Sequence, residues 1–210
     1  MSAQSILYQS NETATGTVQG RINSNTIGDN AVAGSACSTT NCGGIAVNHN
    51  DAGGNTNTSA LRVTISGNTI QQIQNGFGIS VFGSGAGTAH TLIAVNTLRS
   101  PAGTTINQRE AIDVHYATQA ASSVAVCTHI TGNLIENAAG LNWGEGISGA
   151  AIHLRQRNGV NVGLQGYGGL VFEMLQVQSL VSGNNGFATV LAESDGFPLG
   201  YINTTCTTPP

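Results

Sequence analysis

The sequence is poor in charge, in aromatic rings and in long apolar runs, and each shortage excludes a class of protein. Only 8% of the 210 residues are charged and only six are basic, so the chain lacks the clustered Lys and Arg that neutralise nucleic-acid phosphates. No apolar run approaches the roughly 20 residues that a membrane-spanning helix needs. Charge is also too scarce, and β-branched residues too frequent, for a disordered chain. We therefore expect no nucleic-acid partner and no membrane span.

Glycine is abundant, with 29 copies, and Asn, Thr and Ser accompany many Ile and Val residues. This mixture is typical of short strands joined by many turns, because a helical globule carries more Leu, Glu and Lys. Cys37 and Cys42 flank a short loop and favour a local disulfide in an oxidising compartment, with two free thiols as the alternative. A bridge between Cys127 and Cys206 stays open, and the cysteine spacing does not resemble a zinc site.

A phrase of seven residues recurs four times along the chain, at residues 21–27, 64–70, 92–98 and 129–135. The aligned copies form three columns: Ile22, Ile65, Ile93 and Ile130; Asn25, Asn68, Asn96 and Asn133; and Ile27, Ile70, Leu98 and Ile135. Asn tolerates the left-handed backbone of a sharp corner, and its amide can bond the Asn of the next copy. The pattern predicts an asparagine ladder at the corner of a repeating coil.

A second phrase follows each copy of the first, at residues 44–47, 78–81, 111–114 and 151–154. Apolar residues alternate in it with small or polar ones, which predicts a half-buried strand. Successive copies of the first phrase begin 43, 28 and 37 residues apart, a variation that insertions at the turns of a strand solenoid permit and a helical repeat does not. We predict an all-β solenoid, a parallel β-helix whose stacked coils bury continuous aliphatic columns.

These phrases resemble the pectate-lyase-like superfamily of right-handed parallel β-helices. The resemblance covers roughly residues 15–157, and it depends on the phrases at 67–70 and 132–135 together with the asparagine column. It implies a right-handed parallel β-helix, in a superfamily that includes pectin and pectate lyases, polygalacturonases, phage tailspike enzymes and non-catalytic passengers of bacterial surface proteins. Fold alone does not choose among these activities. The C-terminal segment is similar to the end of large bacterial β-helix exoproteins.

We divide the chain into a parallel β-helix, residues 1–165, and a C-terminal cap, residues 166–210. Within the cap, residues 171–181 have the spacing of a short amphipathic helix that stops at Asn184-Asn185-Gly186, and residues 187–192 indicate one more strand. The open end of a solenoid needs such cover, because it exposes unpaired backbone. The first residues lack the parts of a secretory signal although the repeat is already running by Ile22, so we expect a fragment of a longer, extracellular or cell-surface protein.

Ionisable residues concentrate in the last two copies of the second phrase. If its Ile and Val side chains point inward, the residues between them stack outward in two columns: Ala46, Ser80, Asp113 and His153; and Asn48, Phe82, His115 and Arg155. The candidate catalytic residues are therefore Asp113, His115, His153 and Arg155, and the candidate ligand-binding residues are Glu110, Trp143 and Glu145. The alternative is a solvated face with a cross-strand Asp113–His153 contact of about 0.2–1 kcal/mol.

A carboxylate beside an imidazole can act as general base and acid, and arginine can hold the carboxylate of a sugar acid. Asp113 with Glu110 or Glu145 would supply the two carboxylates of a glycoside hydrolase. Trp143 would stack on a sugar ring or, alternatively, pack on the flank of the coil. The set of His49, Asn50 and Asp51 is too weak to indicate a metal, and we expect neither metal nor cofactor.

The enzymes of the superfamily carry motifs that this chain lacks. Pectate lyases gather several Asp residues around calcium, whereas no second Asp stacks on Asp113, and the Asn-Thr-Asp, Asp-Asp and Gly-His-Gly phrases of polygalacturonases do not occur. We therefore expect a structural or adhesive module of an exported bacterial surface protein, with polysaccharide or host and cell-surface glycans as its partners. The alternatives are a polysaccharide lyase or glycoside hydrolase acting on an acidic polysaccharide, and a domain of a phage-tail-like fibre.

Overall fold

The structure, a computed structural model, describes residues 4–32, 34–37, 42–50, 56–101, 109–116, 122–137, 143–144, 148–157, 162–165, 174–186, 188–194, 201–203 and 206. Its strands are β1 (Gln4–Ser10), β2 (Thr17–Asn23), β3 (Thr26–Ile27), β4 (Cys42–His49), β5 (Ala60–Ser66), β6 (Thr69–Gln71), β7 (Gly76–Gly83), β8 (Thr88–Ala94), β9 (Thr97–Arg99), β10 (Ile112–Tyr116), β11 (Ala125–Thr131), β12 (Leu134–Glu136), β13 (Ile152–Gln156), β14 (Val162–Leu164), β15 (Val190–Ser194) and β16 (Tyr201–Asn203). A helix, α1 (Met174–Asn184), lies between β14 and β15.

The strands build three sheets that the chain visits in turn. The first sheet has the order β1-β4-β7-β10-β13-β15, the second β2-β5-β8-β11-β14-β16 and the third β3-β6-β9-β12. All pairings between these strands are parallel. Neighbours within a sheet come from successive turns of the chain, so the fold is an all-β solenoid of stacked coils with one short helix in its described part. This confirms the predicted fold class.

Residues that align in one column of the sequence pair with one another on neighbouring strands of a sheet. The second sheet pairs Ile22, Ile65, Ile93 and Ile130 in order, and the third pairs Ile27, Ile70, Leu98 and Ile135. The first sheet pairs Ile45, Ile79, Ile112 and Ile152. Nearly all these side chains are buried in one aliphatic core, where each contributes about 1.5–3 kcal/mol relative to exposure. The core therefore fixes the stacking of the coils.

Each copy of the first phrase forms two strands that meet at a sharp corner. The left-handed residue of the corner is the one before the asparagine: Ser24, Gly67, Val95 and Gly132 have φ angles of 56°, 64°, 50° and 65°. The prediction that the asparagine itself takes this conformation was wrong. Glycine adopts it without strain, whereas the β-branched Val95 adopts it at a cost in energy.

The asparagines form the predicted ladder of amide hydrogen bonds. Asn96 Oδ1 accepts from the backbone N–H and the Nδ2 of Asn68 at 3.0 and 2.8 Å, and Asn133 Oδ1 accepts from the same groups of Asn96 at 3.0 and 2.9 Å. Asn25 donates to Asn68 in the same way. A further member, Asn185, continues the ladder beyond Asn133 at 3.1 and 2.8 Å. Each coil is thus tied to the next by side-chain as well as backbone bonds.

Helix α1 comes after β14 of the second sheet. In the earlier coils, the strand of the second sheet is followed by a strand of the third sheet, so the helix takes the place of that strand. It ends at Asn184, within the predicted stop, and Asn185 Nδ2 satisfies the carbonyls of Val181 and Ile130 at 2.8 and 3.1 Å. Beyond the helix, β15 pairs with β13 and β16 pairs with β14. Residues 171–173 and 187 of the predicted helix and strand lie outside the described residues, and the domain boundary at residue 165 stays a prediction.

The chain contains two disulfides, Cys37–Cys42 and Cys127–Cys206. The first is the predicted local bridge, and the second joins β11 of the second sheet to the C-terminal segment. In the part of the chain that the structure describes, α1 has 11 residues, and no helix is long and apolar enough to cross a membrane.

Candidate functional site

Strands β10 and β13 bring the predicted ionisable residues together. Their register places Asp113 beside His153 and His115 beside Arg155. The alternate positions of both strands point into the core, where Ile112, Val114, Ile152 and Leu154 are at most 2% exposed. The four ionisable residues therefore share the opposite face of the first sheet, as the alternation predicts.

This face is not solvated at the Asp113 column. Asp113 is fully buried, Glu110 is 1% exposed and His153 is 6% exposed. The alternative prediction of a solvated face was therefore wrong for these residues. The next column is more open, because the side chains of His115 and Arg155 are 17% and 28% exposed. The ionisable groups are thus buried in the column of Asp113 and partly exposed in the column of His115.

One carboxylate oxygen of Asp113 contacts two imidazole rings. Asp113 Oδ1 lies 3.1 Å from His115 Nε2 and 3.2 Å from His153 Nδ1, and those two ring nitrogens are 3.4 Å apart. Neither contact with Asp113 has hydrogen-bond geometry, and both of its oxygens are buried without a hydrogen-bond partner. Glu110 Oε1 lies 3.7 Å from His153 Nδ1, and its Oε2 is buried without a hydrogen-bond partner. The buried carboxylates of the cluster are thus in close contact with imidazole nitrogens but lack well-aligned hydrogen bonds.

The other ring nitrogen of His153 is bound on the opposite side. His153 Nε2 lies 3.0 Å from Glu193 Oε1, in hydrogen-bond geometry, and Arg155 Nε lies 3.0 Å from the same oxygen. Glu193 follows from the pairing of β15 with β13, which places it beside Arg155. A carboxylate at Nε2 favours a proton on that nitrogen and turns the Nδ1 lone pair toward Asp113.

Burial controls the titration of the cluster. It raises the pKa of Asp113 to about 6, an increase that His153 and Arg109 oppose and Glu110 reinforces. For His153, burial alone would lower the pKa, but the contacts with Asp113, Glu110 and Glu193 outweigh it and the pKa is raised. The titrations of the two groups are therefore coupled, because each carries a charge that shifts the pKa of the other.

Aromatic rings extend the site along the first sheet to β7. The His115 ring lies edge-on between those of His153 and Phe82, at centroid distances of 5.1 and 5.4 Å. Phe77 is 6.1 Å from Phe82 and carries the Arg109 guanidinium 5.0 Å above its ring. Ring stacking and a cation–π contact of this kind add about 0.5–1.5 kcal/mol each and hold the edge of the site in place.

The predicted ligand-binding residues have different surroundings. Glu110 lies in the buried cluster, and Glu145 lies outside the described residues. Trp143 is 1% exposed and packs in the core, which favours the packing alternative over stacking on a sugar. At the weak metal set, the ring nitrogens of His49 lie 2.6 and 3.1 Å from the backbone carbonyls of Ser84 and Ser59, and Asp51 is outside the described residues.

Sequence reasoning missed Glu193 and Phe77. Glu193 belongs to a fifth copy of the alternation, Val190-Leu191-Ala192-Glu193, which pairs with β13 but follows the helix rather than a copy of the first phrase. Its alternating pattern was the signal that could have found it. Phe77 precedes the aligned part of the second phrase and had no sequence signal.

Comparison of the chain with protein-family models, with curated proteins and with solved structures gives no match. The three parallel sheets are compatible with a parallel β-helix.

Proposed function

We propose that this chain is a structural and adhesive β-solenoid module of an exported bacterial surface protein, with the pectate-lyase-like superfamily as its family, and that it binds glycans. The observation that supports this best is the half-exposed column of the first sheet, in register over five strands: Asn48, Phe82, His115, Arg155 and Glu193. Neighbouring strands lie about 4.8 Å apart, so the column extends over about 19 Å, a length that suits a chain-like ligand.

The chemistry of the column fits a saccharide. Amide, imidazole and carboxylate groups exchange hydrogen bonds with hydroxyls, an exposed ring edge packs on the apolar face of a sugar, and arginine binds a sugar carboxylate. Phe82, His115 and Arg155 are each half-buried, so their positions are fixed while part of each side chain stays accessible. Such fixed groups lose little conformational entropy when a ligand binds.

Export is supported by the disulfides. Cys37–Cys42 and Cys127–Cys206 account for all four cysteines of the chain. Disulfides persist in extracellular and periplasmic compartments and are rare in the reducing cytosol. We therefore assign the protein to the cell surface or the extracellular medium.

Burial favours binding over catalysis. A polysaccharide that approaches the face meets His115 and Arg155 before Asp113 and Glu110, which are at most 1% exposed. A lyase or hydrolase acting on an acidic polysaccharide is the second candidate, because the pKa of Asp113 is raised by burial to about 6, where a carboxyl group serves general acid–base catalysis. For the phage-tail-like fibre, no described residue offers specific support.

The test is a binding assay against a panel of acidic and neutral polysaccharides. Arg155→Ala should weaken binding of an acidic polysaccharide about tenfold, which corresponds to about 1.4 kcal/mol. Arg99→Ala is the matched control, because Arg99 also forms an ion pair with a glutamate, Glu136, but on the third sheet. Binding that is absent from the whole panel, or equally sensitive to both substitutions, would contradict the proposal.

The same samples distinguish the second candidate. Release of shorter products by the wild-type protein, abolished by Asp113→Asn, would identify an enzyme. Binding without release would leave the adhesive module as the function.

A further inference from the structure

The three ligand atoms around Asp113 form a small triangle. Its edges are 3.1 Å from Asp113 Oδ1 to His115 Nε2, 3.2 Å from Oδ1 to His153 Nδ1 and 3.4 Å between the ring nitrogens. Zinc binds nitrogen and oxygen at about 2.0–2.2 Å, so neighbouring ligands of one ion lie ~3.0 Å apart in octahedral and ~3.4 Å apart in tetrahedral geometry. An ion about 2.1 Å from all three atoms would lie about 1 Å above their plane. The triangle therefore has the size of one face of a zinc coordination shell.

The burial of Asp113 is a second observation that concerns the triangle. Asp113 is fully buried, and both of its oxygens lack a hydrogen-bond partner, as does Glu110 Oε2. An ionised carboxylate in such surroundings is strongly destabilising unless a cation or a proton compensates its charge. Asp113 Oδ1 is a vertex of the triangle, and Asp113 Oδ2 and Glu110 Oε2 add two more buried oxygens without a hydrogen-bond partner to the same cluster.

The far side of His153 has the arrangement of a metal ligand. Imidazoles that bind metals nearly always donate their second ring N–H to a carboxylate or carbonyl, which fixes the tautomer and the ring. His153 Nε2 lies 3.0 Å from Glu193 Oε1, and Arg155 holds that oxygen from the other side at 3.0 Å. The proton thus belongs on Nε2, and Nδ1 presents its lone pair to the triangle.

We propose that Asp113, His115 and His153 bind one divalent transition-metal ion of the zinc type, with Glu110 next to the open side of the ion. Two imidazoles and one carboxylate select zinc and its transition-metal neighbours over calcium and magnesium, which prefer oxygen ligands alone. Because His153 belongs to β13 and the other two ligands to β10, the ion joins consecutive coils. The inference does not depend on glycan binding.

The competing occupant of the triangle is a proton. With a proton on each ring nitrogen, His153 would be an imidazolium paired with Asp113, and the 3.4 Å separation from His115 Nε2 is within reach of a long hydrogen bond. A charged imidazole has no lone pair for a metal, so the two occupants exclude each other and a metal titration distinguishes them.

The experiment is a zinc titration of the full chain, free of any affinity tag, by isothermal calorimetry after treatment with a chelator. We expect one equivalent of bound zinc. His115→Ala should weaken binding at least tenfold, and Glu193→Gln about tenfold, because loss of a carboxylate that orients a ligand costs 10–100-fold in metal affinity. Cobalt in place of zinc should give the visible absorption of a bound ion with nitrogen and oxygen ligands.

The matched control is His129→Ala, which removes a half-buried histidine from β11 on the second sheet and should leave zinc binding unchanged. Glu193→Gln changes a half-exposed side chain and keeps the test informative if His115→Ala or Asp113→Asn fails to fold. A folded wild-type protein that binds no zinc would overturn the proposal in favour of the proton. Equal losses for His115→Ala and His129→Ala would overturn it too, since they would indicate scattered surface binding.

Discussion

Truncation of the asparagine ladder at its middle and at its end tests how the coils are held together. Asn96, in the middle, accepts two hydrogen bonds from Asn68 through Oδ1, and its Nδ2 donates to Asn133 Oδ1 at 2.9 Å and to the Ile65 carbonyl at 3.0 Å. Asn96 is 1% exposed. Asn25 lies at the end of the described ladder and is half-buried, so water can replace the bonds of its side chain.

The expected cost follows from the groups left without a partner. Asn96→Ala removes the bonds that this side chain makes to the backbone N–H of Asn68 and to the Ile65 carbonyl, in a buried setting. A buried polar group left unpaired costs about 1–3 kcal/mol, so we expect the free energy of unfolding to fall by about 2–6 kcal/mol. Asn25→Ala should cost about 0.5–1.5 kcal/mol, the net value of a hydrogen bond that water can replace.

The assay is urea unfolding with the disulfides intact, followed by circular dichroism and by the fluorescence of Trp143. Trp143 is the one tryptophan of the chain and lies in the core, so it reports loss of packing between coils. Agreement of the two probes would show that the stacked coils unfold together in one transition. A free energy of unfolding can be derived from the urea curve only if they do. A cost at Asn96 equal to or below that at Asn25 would refute the reasoning.

Two further predictions concern a backbone corner and a histidine. Val95→Gly should stabilise the protein by about 0.5–1 kcal/mol, because Val95 is 61% exposed and its φ of 50° costs about 1–2 kcal/mol, more than the entropy that glycine adds to the unfolded chain. Gly67→Val at the matching corner should destabilise the protein. Thermal melting of both variants measures the two changes in stability, and changes of the same sign would contradict the prediction. Partial burial lowers the pKa of His129 below 6.5, so the stability due to its neutral form is present above that pH and declines as the pH falls toward the folded-state pKa. An NMR titration, with His129→Gln to identify the signal, should give a midpoint below 6.5, and a higher midpoint would contradict the prediction.

The repeat predicted the register of the coils because stacking places the same side chain of each coil at the same point. Ile22 and Ile65 pair in the structure as they align in the sequence, and so do their equivalents in later coils. The corner conformation was assigned one residue too late, because the phrase shows a conserved spacing around the asparagine but not which φ angle makes the bend. Asn185 was interpreted only as a helix stop, since a helix replaces the repeated strand before it.

The alternation predicted that Asp113, His115, His153 and Arg155 share one face, as they do in the structure, but it did not predict how deeply that face is buried. Alternation along β10 and β13 tells which face Asp113 and His153 share, because that is a property of each strand alone. It does not tell whether that face meets water, which depends on chain segments outside the period of the repeat. The partner of His153, Glu193, depends in the same way on a strand that comes after the helix, so the orientation of the ring was not readable from the phrases.

The three proposed metal ligands come together because their side chains differ in length and the two strands that carry them pair in parallel register. Adjacent strands lie about 4.8 Å apart, and residues two apart on one strand are separated by about 6.6 Å. Asp113 has the shortest side chain of the three, and the longer imidazoles of His115, along its strand, and His153, across the sheet, both reach back to its Oδ1. Asp113 is therefore the residue that both imidazoles contact. A one-residue slip of β13 against β10 would turn His153 into the core and Leu154 outward, so the aliphatic column that fixes the register also fixes the site.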